Sequence, residues 1–117
     1  MEIDALANPT VRAAVEAFQA GDRKTWAALF DHDAELFDDG SARSLDRFTR
    51  EALGRERFTS FDWASPDGLQ VVGKFHSEQW SDSRTYFRFH LGPDGKIHRL
   101  DVGQIGPGGG PSTGPMG

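Results

Sequence analysis

The side chains best able to hold a metal or move a proton near neutral pH are four histidines, His32, His76, His90 and His98. A metal site needs converging donors, and no pair of these has the i, i+4 spacing that sets two imidazoles on one helix face. There is no cysteine, which removes disulfides, thiolate nucleophiles and thiolate metal sites together. No metal and no cofactor are expected. Gly108-Gly109-Gly110 has no strand before it and no helix after it, so it cradles no phosphate. A net charge of −5 and a pI near 5.2 argue against a nucleic-acid surface, whose affinity rests on clustered lysine and arginine. Four polar residues, Ser77, Gln79, Thr85 and Gln104, fall on an otherwise apolar strand face. Unsatisfied there, each would cost about 1–3 kcal/mol, so they either bond one another or orient a ligand.

The elements that must position these residues can be read from spacing. Asn8 caps and Pro9 opens a first helix over 9–20, with Val11, Ala14, Val15 and Phe18 at helical intervals and Gly21 ending it. Asp22 caps a second helix over 23–30 that carries Trp26, Leu29 and Phe30. Glu35 to Asp38 reads as a short strand. Ser44 opens a third helix, 44–53, with Leu45, Phe48 and Ala52 on one side, closed by Gly54. After Gly54 the period changes to two. Thr59, Phe61 and Trp63 alternate, Ser65-Pro66-Asp67-Gly68 spells a type I turn, and strands follow at 71–80, 84–91 and 96–105. A Ser81-Asp82-Ser83 loop would set Phe75 opposite Phe89 and Ser77 opposite Phe87. The first turn would set Trp63 opposite Val71. Ile97 and Leu100 have opposite parity, which predicts a bulge between them or one apolar residue facing outward. Helices first and a strand meander afterwards make an α+β domain. One domain is expected over 1–105. The Gly/Pro-rich stretch 106–117 buries too little apolar surface to order itself and is expected to be a flexible tail.

Ala20-Gly21-Asp22, Trp26 to Phe30, Asp33-Ala34, Phe87-Arg88-Phe89 and Asp94-Gly95-Lys96-Ile97, in this order and spacing, resemble the nuclear-transport-factor-2-like superfamily, with its SnoaL-like polyketide cyclases and ketosteroid isomerases. The resemblance covers roughly Pro9 to Ile105. It implies a cone-shaped, curved antiparallel sheet packed on three N-terminal helices, a pocket between helices and sheet, and frequent dimerisation. It further implies that Asp38 stands where ketosteroid isomerases keep their proton-shuttling carboxylate. Their two oxyanion donors do not carry over, because those positions are Ala14 and Thr85 here. Losing one such donor typically costs about 2.7–4 kcal/mol of transition-state stabilisation, so steroid isomerisation is not expected. Asp38 is the one candidate catalytic residue, as a general acid or base whose pKa an apolar cavity would raise. The alternative is a turn-forming role with Asp39 and Gly40.

Trp26, Phe30, Phe61, Trp63, Phe75, Thr85, Phe87, Phe89, Leu100, Val102 and Gln104 are the expected lining of the ligand pocket, and most could equally be plain core. Two functions follow. One is a domain binding a small apolar molecule, with proton-transfer catalysis by Asp38. The other is a non-catalytic binding or dimerisation module with a filled cone. The outer sheet face, with His76, Glu78, Trp80, Tyr86, Arg88, His90 and Val72, is the expected homodimer contact. Met1 to Leu6 lacks the basic and apolar regions of a signal peptide, and no apolar run approaches the ~20 residues needed to cross a bilayer. A cytoplasmic protein with no membrane partner is the expectation.

Overall fold

A computed structural model describes residues 5–77 and 81–105. Glu78, Gln79, Trp80 and the 106–117 tail lie outside the described residues. Helix α1 spans Pro9–Ala20; the Asn8 side chain accepts from the Thr10 and Val11 N–H groups, and Gly21 ends it at φ 71°. Helix α2, Arg23–Ala28, is capped by Asp22, and α3, Leu45–Ala52, by Ser44. These are the caps that the sequence announces, although α2 stops two residues short of Phe30.

Phe30 instead opens strand β1, Phe30–Asp38, much longer than the four residues expected. β1 turns back into β2, Ser41–Arg43, through Asp39 and Gly40, both at positive φ, 50° and 86°. Two left-handed residues between paired strands form the hairpin turn that favours Asp-Gly. The remaining strands are β3 (Arg57–Phe58), β4 (Trp63–Ala64), β5 (Gln70–Ser77), β6 (Ser81–Leu91) and β7 (Ile97–Gln104). They form an open sheet in the order β2-β1-β7-β6-β5-β3, with β4 also on β5. The part built from residues 57–105 is antiparallel as expected, but β1 joins β7 in parallel, so the whole sheet is mixed.

Two registers differ from expectation. On β5 and β6, Phe75 faces Ser83, Gly73 faces Thr85 and Val71 faces Phe87. This is six residues from the predicted pairing. An even shift keeps every side chain on its predicted face, and it places a large residue beside a small one so that the rings interleave. The first turn is one residue longer than read, so Trp63 faces Val72 rather than Val71. Odd shifts reverse faces: Trp63 points outward and is 48% exposed. Phe58, not Thr59, is the inward residue of this edge. Between Phe58 and Trp63 the edge strand carries two extra residues against β5 and bulges. Gln19 holds it from α1, donating to the Phe58 carbonyl (2.9 Å) and accepting from its N–H (2.8 Å).

The predicted irregularity in the last strand is present. The register slips between His90 and Leu91, and both Ile97 and Leu100 are fully buried. His98 is the residue displaced; its Nε2 meets Asp94 Oδ1 at 3.0 Å on the surface. The helices cover the inner face of the sheet. Between them lies an aromatic core in which Phe87 packs within 6.4 Å, centroid to centroid, of Phe18, Phe48, Phe58, Phe75 and Phe89.

Candidate functional site

Two spaces occur near the expected site, and they differ greatly in size. The larger is an open groove of about 550 Å³ between α2, α3 and the start of β1. Trp26 and Phe30, both buried with ring centroids 4.8 Å apart, make its floor. The Trp26 indole N–H donates to Thr49 Oγ1 at 3.0 Å, which ties α2 to α3 across the floor. Ala27, Ala34 and Leu45 form apolar walls, and Arg50 and Lys96 stand at the exposed rim. A space of this volume lies within the range of small-molecule sites, roughly 300–1,000 Å³.

The smaller space lies inside the cone, where Asp38, Arg43, Phe48, Phe75, Thr85, Phe87 and Val102 enclose only about 20 Å³. That is room for about one water molecule. Asp38 is on its wall because Asp38 shares the inward face of β1 with buried Leu36. Its Oδ2 accepts from Arg43 at 2.8 Å, and Arg43 also reaches Glu51 on α3 at 3.2 Å. Charge and geometry thus lock the β1–β2 hairpin to the third helix. Asp39, next along, points to the other face. Burial, then the neighbouring Asp38 charge, push its carboxyl above the usual range. Tyr86 lies over Gly103 beside it. Burial and the charges of Asp39, Asp101 and Asp38 raise its phenol as well.

The expected lining is therefore divided. Trp26 and Phe30 floor the groove; Phe75, Thr85, Phe87 and Val102 join Asp38 around the inner cavity. Phe89 and Leu100, both 0% exposed, belong to the core and reach neither space. Phe61 packs on Phe58 at the sheet edge (5.0 Å). Trp63 and Gln104 are exposed, Trp63 through the odd register and Gln104 as the last residue of β7. Leu45, Thr49, Arg50 and Lys96 were missed. The helical period did set Leu45 on the apolar side of α3, but nothing local says that this side leaves a gap. Among the described residues, donor atoms of Asp31, Asp94 and His98 lie within 4.8 Å of one another at the surface, as do those of Asp31, His32 and Asp33.

No protein-family profile matches the chain, and no curated protein sequence matches it. Solved structures do. A candidate polyketide cyclase from Sinorhizobium meliloti aligns over 87% of this chain and 99% of its own, with a TM-score of 0.70 at 20% identity. A nuclear-transport-factor-2-like protein of unknown function from Cytophaga hutchinsonii aligns over 81% of this chain and 86% of its own, with a TM-score of 0.66 at 11% identity. The fold is the nuclear-transport-factor-2-like one. The canthaxanthin-binding Orange Carotenoid Protein of Anabaena (Nostoc) sp. PCC 7120 shares it over 87% of this chain, with a TM-score of 0.64 at 23% identity. This chain spans 38% of that protein's length. In this fold Asp38 ends the first strand, and Thr85 lines the same inner cavity. Ala14, on α1, is fully buried and does not line that cavity. No helix among the described residues is long and apolar enough to cross a membrane.

Proposed function

We propose that this domain binds a small apolar molecule in the groove between α2, α3 and β1, and that binding rather than catalysis is its function. The observation that carries this reading is the contrast in volume. The groove offers about 550 Å³ over an aromatic floor, while the cone beside Asp38 is filled to within about 20 Å³. Fold likeness to a carotenoid-binding protein and to a candidate polyketide cyclase supports an apolar ligand without naming it. Titration with 1-decanol, read by calorimetry, should saturate at one molecule per chain. Ala27→Trp, an exposed change on α2 that fills the groove, should abolish it while leaving the circular dichroism unchanged. Binding that survives Ala27→Trp would remove the groove from consideration.

A second reading keeps Asp38 as an acid or base, because its carboxylate faces the inner cavity. It requires that cavity to widen and one carboxylate oxygen to leave Arg43. In deuterated buffer, 2-decanone should then take up deuterium at its α-carbons faster with this protein than with Asp38→Asn. Equal rates would leave Asp38 as the hairpin's anchor only.

Self-association through the outer sheet face completes the proposal. Trp63, Val72, Tyr86 and Gly103 form one cross-strand row there. Beside it Arg99 lies 4.0 Å over the Phe37 ring and bonds Asp101, which also meets His90 at 2.7 Å. Exposed Trp63 and half-buried Tyr86 and Phe37 among paired charges of both signs suit a two-fold contact with a second copy. Of the residues expected here, Glu78 and Trp80 lie outside the described residues, and Trp63 is the exposed tryptophan on this face. Light scattering at micromolar concentration should give twice 12.9 kDa, falling to the monomer mass in Tyr86→Glu. A monomeric parent protein would end the idea.

A further inference from the structure

The groove has a chemical asymmetry that an apolar ligand alone does not use. Its floor and walls are Trp26, Phe30, Ala34 and Leu45, but its rim carries two cations from opposite sides, Arg50 on α3 and Lys96 at the start of the last strand. Among the described residues neither head group makes an ion pair or a side-chain hydrogen bond; the bond at Arg50 uses its carbonyl, which accepts from Arg23 Nη2 at 3.3 Å. That bond sets the Arg23 guanidinium on the Arg50 backbone, and Arg23 is not part of the groove lining. Two acids also line the groove. Asp31 already accepts from the Asp33 N–H (3.0 Å) and lies 3.6 Å from His32. Asp46 stands one helical turn before Arg50, a spacing that permits pairing, yet the two do not pair. In a chain of net charge −5, unpaired cations above an apolar floor need an account.

Resting on the groove reading above, we infer that the ligand is an amphipathic monocarboxylate, its hydrocarbon or ring part on Trp26, Phe30 and Leu45 and its carboxylate between Arg50 and Lys96. Guanidinium and ammonium groups donate only, and a carboxylate accepts only, so head and rim are complementary in hydrogen bonding as well as in charge. An alcohol of equal chain length keeps the apolar contact and loses the charge. A primary amine of that length places a like charge against the rim.

Calorimetric titration of the full chain with decanoate, 1-decanol and decylamine, each below its micelle concentration, separates the possibilities. Decanoate should bind about tenfold tighter than 1-decanol, and decylamine weaker than either. The double variant Arg50→Gln/Lys96→Gln, both exposed changes, should bring decanoate down to the affinity that the same variant shows for 1-decanol. The advantage of decanoate should also shrink with added salt, as an exposed charge contact must. Equal affinity for decanoate and 1-decanol, or a decanoate advantage that survives the double variant, overturns the carboxylate assignment and leaves the groove reading standing. If neither 1-decanol nor decanoate binds, the groove reading itself has failed.

Discussion

Phe87→Ala should lower the unfolding free energy by about 3–5 kcal/mol, the range for deleting a buried aromatic ring. Phe87 is 1% exposed and stands at the centre of the ring cluster, touching side chains from α1, α3, β3, β5 and its own strand. Helices and sheet meet on this one side chain, so the neighbours cannot collapse into its place without moving whole elements. Urea titration should show the midpoint falling with little change in slope. Phe87→Leu, which keeps most of the volume, should cost about 1.5 kcal/mol or less. A loss under 1 kcal/mol for the alanine variant would mean that the ring is not packed as described. The same deletion enlarges the space beside Asp38, since Phe87 is part of its wall.

Gly73→Ala should cost roughly 3 kcal/mol, at the upper end for an added methyl group in a packed interior. A β-carbon there would run into the Ser60 carbonyl oxygen and lie 2.9 Å from its carbon, both backbone atoms. The chain over Ser60 cannot simply retreat. It is tied to β5 on either side by Thr59 N–H to the Lys74 carbonyl and Asp62 N–H to the Val72 carbonyl, each 2.8 Å. Gly73 is thus what lets the edge strand bulge inward between Phe58 and Trp63. Alanine should push β3 and β4 off β5, and amide exchange at Thr59 and Asp62 should rise before the rest of the sheet opens. A variant as stable as the parent would show that the bulge does not depend on this contact.

Local chemistry in the chain was enough for the helices and their caps. Asn8, Asp22 and Ser44 satisfy orphan N–H groups in sequence-adjacent residues, so nothing distant is needed to recognise them. The faces of β6 and the irregularity near His98 were also legible, because strand parity survives any even change of partner. The site was legible only in part. Asp38 falls at the end of β1 by sequence, but its bond to Arg43 depends on a hairpin, and Asp39-Gly40 by itself announces only a turn. The direction of Trp63 turned on one residue of loop length and on Ser60 passing over Gly73, a contact between segments that only the packed sheet brings together.

By itself, then, the sequence determined that this chain builds three capped helices and a strand meander with an aromatic interior. It also showed that it carries no thiolate chemistry and no phosphate loop. Tertiary structure decided where empty space remains. A void is what neighbouring side chains fail to fill, so it is a property of several elements at once. Phe18, Phe48, Phe58 and Phe75 converge on Phe87 and close the cone beside Asp38, while the short α2 stands off the start of α3 and leaves a groove over Trp26 and Phe30.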